Sequence, residues 1–154
     1  MNADLRDLYQ EVILDHNRRP RNRGKIEDAT HDAEGHNPLC GDQVHVWVRV
    51  DEQGRVEDIR FDGHGCAIST ASASLMTEAI RGLSLEDSHA LFQRFHQMLA
   101  EEGAEIEWEE ERAALGALSG VKEFPARVKC ATLAWHTLEA ALNREREPVN
   151  TEQA

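Results

Sequence analysis

Four valines at every second position, Val44, Val46, Val48 and Val50, alternate with His45, Trp47 and Arg49. No other stretch constrains the fold as tightly. A period of two is a strand with one buried face and one wet face. Asp51-Glu52-Gln53-Gly54 reads as a turn, and Ile59 and Phe61 alternate with Asp58 and Arg60 on the return. The strand therefore folds into an antiparallel hairpin. Residues 30–36 supply a short polar edge strand. Such a three-stranded antiparallel sheet needs helices over its apolar face.

Helical periodicity fills most of the remaining chain. Leu5, Leu8, Tyr9, Val12 and Ile13 predict an amphipathic helix over residues 3–16. Ile68, Ala71, Leu75, Met76 and Ile80 mark a second over 67–81, stopped by Gly82. Ser84 caps a third, with Asp87 close to a capping box, and Leu91, Phe92, Phe95, Met98 and Leu99 line it. An acidic loop over 101–112 precedes a short helix at 113–118. Pro125 opens the last helix, whose core face is Val128, Ala131, Trp135, Leu138, Ala141 and Leu142. The expected fold is α+β, a small three-stranded antiparallel sheet packed by about five to six helices. Residues 1–144 read as one domain and 145–154 as a disordered polar tail.

The chain has only three cysteines, and each falls where structure begins or turns. Cys40 precedes the central strand in Asn37-Pro38-Leu39-Cys40-Gly41-Asp42. Cys66 stands where strand gives way to helix in Gly63-His64-Gly65-Cys66-Ala67. Cys130 lies inside the last helix. Free cysteines are often small buried hydrophobes, but two between or beside glycines at strand ends fit a metal or reactive site better. Three thiolates and the Asp42 carboxylate form a four-ligand set suited to zinc, or to an iron–sulfur cluster. His36, His45 or His64 could stand in for Asp42. Cys66 at a helix start is favoured as thiolate by the helix dipole. Arg127, one helical turn before Cys130, is placed to pair with Asp42 or a thiolate.

A net charge of -12 argues against nucleic acid or membrane surfaces as partners. No apolar run would span a bilayer, and the first residues lack a signal-peptide pattern, so a cytoplasmic location is expected. A basic run, Arg18, Arg19, Arg21, Arg23 and Lys25, interrupts the acidic chain as a solvated loop or a partner-docking patch.

The two cysteine loops in this order, followed by a helix carrying Cys130, resemble the U-type iron–sulfur assembly proteins (IscU and NifU N-terminal-like). The likeness extends over roughly residues 4–144. Scaffold members of the IscU branch usually have a histidine before the third cysteine and a shorter segment ahead of it. Lys129 and the long stretch around 84–120 resemble the SufU branch instead, as does Arg127. The resemblance implies a zinc held by Cys40, Asp42, Cys66 and Cys130. It implies a sulfurtransferase whose Cys40 leaves the metal, a partner histidine replacing it, and accepts persulfide sulfur from the pyridoxal-phosphate cysteine desulfurase SufS. Other SUF assembly proteins would follow. The alternatives are a [2Fe–2S] scaffold and a structural zinc module that docks onto a partner.

Overall fold

The computed structural model describes residues 3–100, 107–144 and 149–151. In chain order the elements are α1 (Ala3–Arg18), β1 (His31–Asn37), β2 (Asp42–Val50), β3 (Val56–His64), α2 (Ala67–Ile80) and α3 (Leu85–Ala100). A 3-10 helix (Glu110–Glu123), α4 (Pro125–Leu142) and β4 (Val149–Asn150) follow. No described helix is long and apolar enough to cross a membrane.

The sheet has the order β3-β2-β1-β4. The three expected antiparallel strands are its body. Asn37 faces Asp42 across β1 and β2, and Gln43 faces His64 across β2 and β3. These registers bring the Cys40 loop and the β3–α2 junction to one end of the sheet. Val44, Val46, Val48, Ile59 and Phe61 are buried on the covered face. Trp47 points to the other face, half-buried and stacked on His45 at 3.9 Å between ring centroids.

The helical layer is centred on Trp135, fully buried and stacked on Phe95 at 4.2 Å. Its indole N–H donates to Ser72 Oγ at 3.1 Å, and Ser72 donates to the Ala131 carbonyl. The buried Ser69, Ala71, Ser72, Ala73 and Ser74 let α2 lie close to its neighbours. Gly35 does the same for β1 on α4, because a Cβ there would strike the Thr137 hydroxyl. α3 starts as read from the sequence, the Asp87 N–H donating to Ser84 Oγ at 3.0 Å.

Two expectations need correction. The segment read as a short helix at 113–118 extends over Glu110–Glu123 as 3-10 turns, because Leu115, Ala117, Leu118 and Val121 are all buried. The disordered tail is corrected at its centre. Val149–Asn150 pairs in parallel with Gly35–His36, the Thr151 N–H donates to the His36 carbonyl at 3.2 Å, and Thr151 is buried. A strand edge has unpaired main-chain groups, and any short segment can satisfy them without an apolar pattern. The rest of that tail, 145–148 and 152–154, lies outside the described residues, as do residues 101–106 of the acidic stretch.

The basic loop is pinned internally. Arg19 and Arg21 pair with Asp15, and Arg23 pairs with Asp62 and donates to the Gly63 carbonyl. Three of its five basic side chains are thus engaged within the fold.

Candidate metal centre

The β1–β2 loop is a tight reversal shaped by one carbonyl. The Cys40 and Gly41 N–H groups both donate to the Asn37 carbonyl, at 3.2 and 2.9 Å. Gly41 adopts φ +71, a conformation that glycine reaches without strain. The turn leaves the Cys40 side chain exposed and sends Asp42 inward, where it is fully buried. A carboxylate there requires donors or a cation. One donor is the Cys66 N–H, 2.9 Å from Asp42 Oδ1.

Cys66 is the N-cap of α2, its sulfur accepting the Ser69 N–H at 3.4 Å. Gly65 makes room for this arrangement, since a Cβ there would lie 2.6 Å from Asp42 Oδ1. Cys130 comes from α4, buried, with its sulfur 3.4 Å from Cys40 Sγ and 3.7 Å from Asn37 Nδ2.

The donor atoms of Cys40, Asp42 and Cys130 lie within 4.8 Å of one another. Cys66, the fourth expected member, stands against Asp42, with Sγ 3.7 Å from Oδ2, but outside that mutually close group. Two of the separations approach those around a tetrahedral ion, where zinc bonds of about 2.3 Å to sulfur and 2.0 Å to oxygen put neighbouring donors roughly 3.5–3.8 Å apart. The observed 3.4 and 3.7 Å are close to this. Three soft sulfurs and one carboxylate are also the donor types zinc prefers.

The electrostatics point the same way. Burial pushes the Cys130 thiol far above its ordinary range, helped by hydrogen bonds to Asp42 and Cys40 and by negative charge at Cys66 and Asp42. The thiol stays neutral unless a cation displaces its proton.

The histidines weighed as substitutes for Asp42 do not enter the group. His45 lies on the outer face of the sheet, 2.7 Å from Asp32 and 3.2 Å from Glu34. Arg127 is exposed, and its guanidinium lies 4.9 Å from the Phe124 ring centroid. Among the described residues no ion pair joins it to Asp42. Leu39, beside Cys40, is 72% exposed, and Phe124 is 49% exposed. A cavity of about 600 Å³ between α1, the 3-10 helix and the start of α4 has Ile68 and Arg127 on its wall. Ile68 follows Cys66 by two residues and Arg127 precedes Cys130 by one turn, but none of the three cysteines lines this cavity.

Sequence reasoning passed over Asn37 and Leu39 as contributors. Asn37 had a signal, since an asparagine before proline at a strand end often organises the turn that follows. Leu39 had none, because exposure is not written in residue type.

The family model for the NifU-like N terminal domain matches residues 8–131. The zinc-dependent sulfurtransferase SufU of Bacillus subtilis is 42% identical over 144 residues, covering 94% of this chain and 95% of that one. The iron–sulfur cluster assembly scaffold protein IscU of Streptococcus pyogenes is also 42% identical, over 92% and 87%. A crystal structure described as a candidate cluster assembly scaffold for the SUF system, from Fervidobacterium islandicum, superposes with a TM-score of 0.79. It is 35% identical and covers 92% of this chain and 99% of its own. The chain belongs to the NifU-like N-terminal domain family, whose U-type members include SufU and IscU.

Proposed function

We propose that this protein serves iron–sulfur cluster assembly as a zinc-holding sulfur acceptor, taking persulfide sulfur from a cysteine desulfurase of the SufS kind. The observation that carries the reading is the asymmetry of the site. Asp42 and Cys130 are buried within 4.8 Å of a Cys40 that faces solvent. Cys40, Asp42, Cys66 and Cys130 would hold the ion. Zinc, when bound, keeps the thiolates deprotonated and brings no redox chemistry of its own.

The chain's residues do the rest. Asp42 and Cys130 stay in place because they are buried, while the Cys40 loop presents its sulfur to a partner. The Cys40 thiolate attacks the outer sulfur of the partner's persulfide. A new sulfur–sulfur bond forms on Cys40, the partner's own bond breaks, and the partner cysteine leaves as thiolate. No external oxidant is needed. Leu39 and Phe124, apolar and exposed, together with the cavity that Phe124 lines, offer the partner a contact surface.

The test is mass spectrometry after incubation with desulfurase and cysteine. One extra sulfur on Cys40 is expected, and Cys40→Ala should lose both the adduct and any stimulation of the desulfurase. Full stimulation by Cys40→Ala would overturn the reading. A second reading, assembly of a [2Fe–2S] cluster on the same residues, draws on the same three-sulfur, one-oxygen donor set. Visible absorption after anaerobic iron and sulfide loading would show it.

A further inference from the structure

The three cysteine sulfurs are not held alike. Cys66 accepts a main-chain N–H from Ser69 at 3.4 Å. Cys130 faces the side-chain amide of Asn37, Nδ2 to Sγ 3.7 Å. For Cys40, the sulfur partner found among the described residues is the Cys130 thiol at 3.4 Å. Two sulfurs, exposed Cys66 and buried Cys130, thus meet nitrogen donors built into the fold, and among the described residues Cys40 does not.

Asn37 links both sides of this difference. It closes β1 opposite Asp42 and is 1% exposed. Its main-chain carbonyl takes the N–H groups of Cys40 and Gly41 and so shapes the Cys40 loop. Its side chain reaches across to α4. Its Oδ1 is buried with no hydrogen-bond partner among the described residues. A buried amide satisfied on one side only destabilises a fold relative to an apolar residue of the same shape. Packing alone therefore does not account for an asparagine here. Locally unfavourable choices of this kind concentrate where a chain does chemistry.

We propose that Asn37 is a positioning residue of the sulfur-accepting site. Its amide donates to the Cys130 sulfur and keeps it as a fixed ligand, so that ligand exchange is confined to Cys40. Outer hydrogen bonds to a ligand atom orient it and tune the charge it offers the ion. Neutral donors on Cys66 and Cys130 draw electron density from those sulfurs and lock their directions. Cys40, without one, keeps its nucleophilicity and its freedom to swing out. This assignment rests on the zinc-dependent sulfur-acceptor reading above.

Two variants test it. Asn37→Leu keeps the size but removes both the donor and the unpaired oxygen. Asn37→Asp keeps the shape but cannot donate. Both leave the main-chain carbonyl that shapes the Cys40 loop. In cobalt-loaded protein, the sulfur-to-cobalt absorption band should shift in each variant. Zinc affinity against a chromophoric chelator should fall by about 10–100-fold. After reaction with desulfurase and cysteine, the extra sulfur should appear on Cys130 as well as Cys40. Metal-free Asn37→Leu should melt no lower than the parent; if it does not fold, Asn37→Asp carries the test. A folded variant with the parent's band, affinity and Cys40-only adduct overturns the role of Asn37 alone. A parent that neither holds zinc nor takes up sulfur overturns the acceptor reading, and the Asn37 assignment with it.

Discussion

Alanine at position 65 probes the buried carboxylate without touching a proposed ligand. A Cβ on Gly65 would lie 2.6 Å from Asp42 Oδ1, 3.0 Å from its Cγ and 3.2 Å from its Cβ. Ordinary contact begins near 3.5 Å, so the carboxylate must retreat by roughly 0.8–0.9 Å. Gly65 is not among the glycines with positive φ, so the backbone accepts alanine and the whole effect is this collision. Asp42 has nowhere to go, because it is fully buried and its Oδ1 is tied to the Cys66 N–H at 2.9 Å.

Overpacking costs about 1–3 kcal/mol, and a weakened hydrogen bond to a charged group adds roughly 1 kcal/mol. At about 3 kcal/mol in total, and about 2–4 °C per kcal/mol for a chain of this size, the metal-free protein should melt on the order of 6–12 °C lower. A carboxylate displaced by that much cannot meet an ion at a 2.0 Å bond, so zinc affinity should fall by about tenfold or more. The assays are thermal denaturation of metal-free protein and zinc competition against a chelator. Gly120→Ala is the internal control, since nothing among the described residues lies within 4 Å of its added Cβ; it should be neutral or slightly stabilising. A Gly65→Ala protein with the control's melting temperature and the parent's zinc affinity would refute the steric argument and the ligand role of Asp42 together.

Three further outcomes are expected. Asp42→Asn keeps an acceptor for the Cys66 N–H but removes a buried charge, so metal-free stability should hold or rise while a chelator strips zinc faster; unchanged zinc retention would count against Asp42 as a ligand. Trp135→Ala empties the centre of the helical layer and should cost about 3–5 kcal/mol in urea unfolding; a loss below 1 kcal/mol would contradict the burial described. Burial, and then the positive charge of Arg21, hold the His16 imidazole below its ordinary 6.5, with its Nδ1 2.7 Å from Ser74 Oγ. The unfolded chain therefore binds that proton first, and stability should fall as pH drops below about 6.5. His16→Gln should flatten that slope in part, since His31 and His136 are shifted the same way; an unaltered slope would remove His16 from the account.

The hairpin and helices were readable because one-faced burial writes itself as periodicity. Val44–Val50 shows it with a period of two and α3 at helical spacing, while α2 and α4 are buried around most of their surface. The four proposed ligands were readable because glycines and strand ends mark loops, and chemistry-bearing residues in loops stand out. Parts that use the main chain left no such trace. β4 is only two residues long and pairs with β1 through N–H and C=O groups, with Val149 against Ala33, Ala140 and Ala141. Arg127 shows the converse: its spacing from Cys130 was right for a site residue, yet an aromatic ring one turn away claims its guanidinium.

Residue types and their order settled the α+β class and the family, and pointed to Cys40, Asp42, Cys66 and Cys130 as the proposed ligands, because ligand chemistry belongs to side-chain identity. The division of labour within that set came only from tertiary structure. Burial and distance depend on which element lies over which. Docking of α4 on the sheet buries Cys130 beside Asp42 and Asn37, and the reversal at Gly41 leaves Cys40 in solvent. Three identical thiols in the sequence become unequal because the fold gives each a different set of donors and a different share of water.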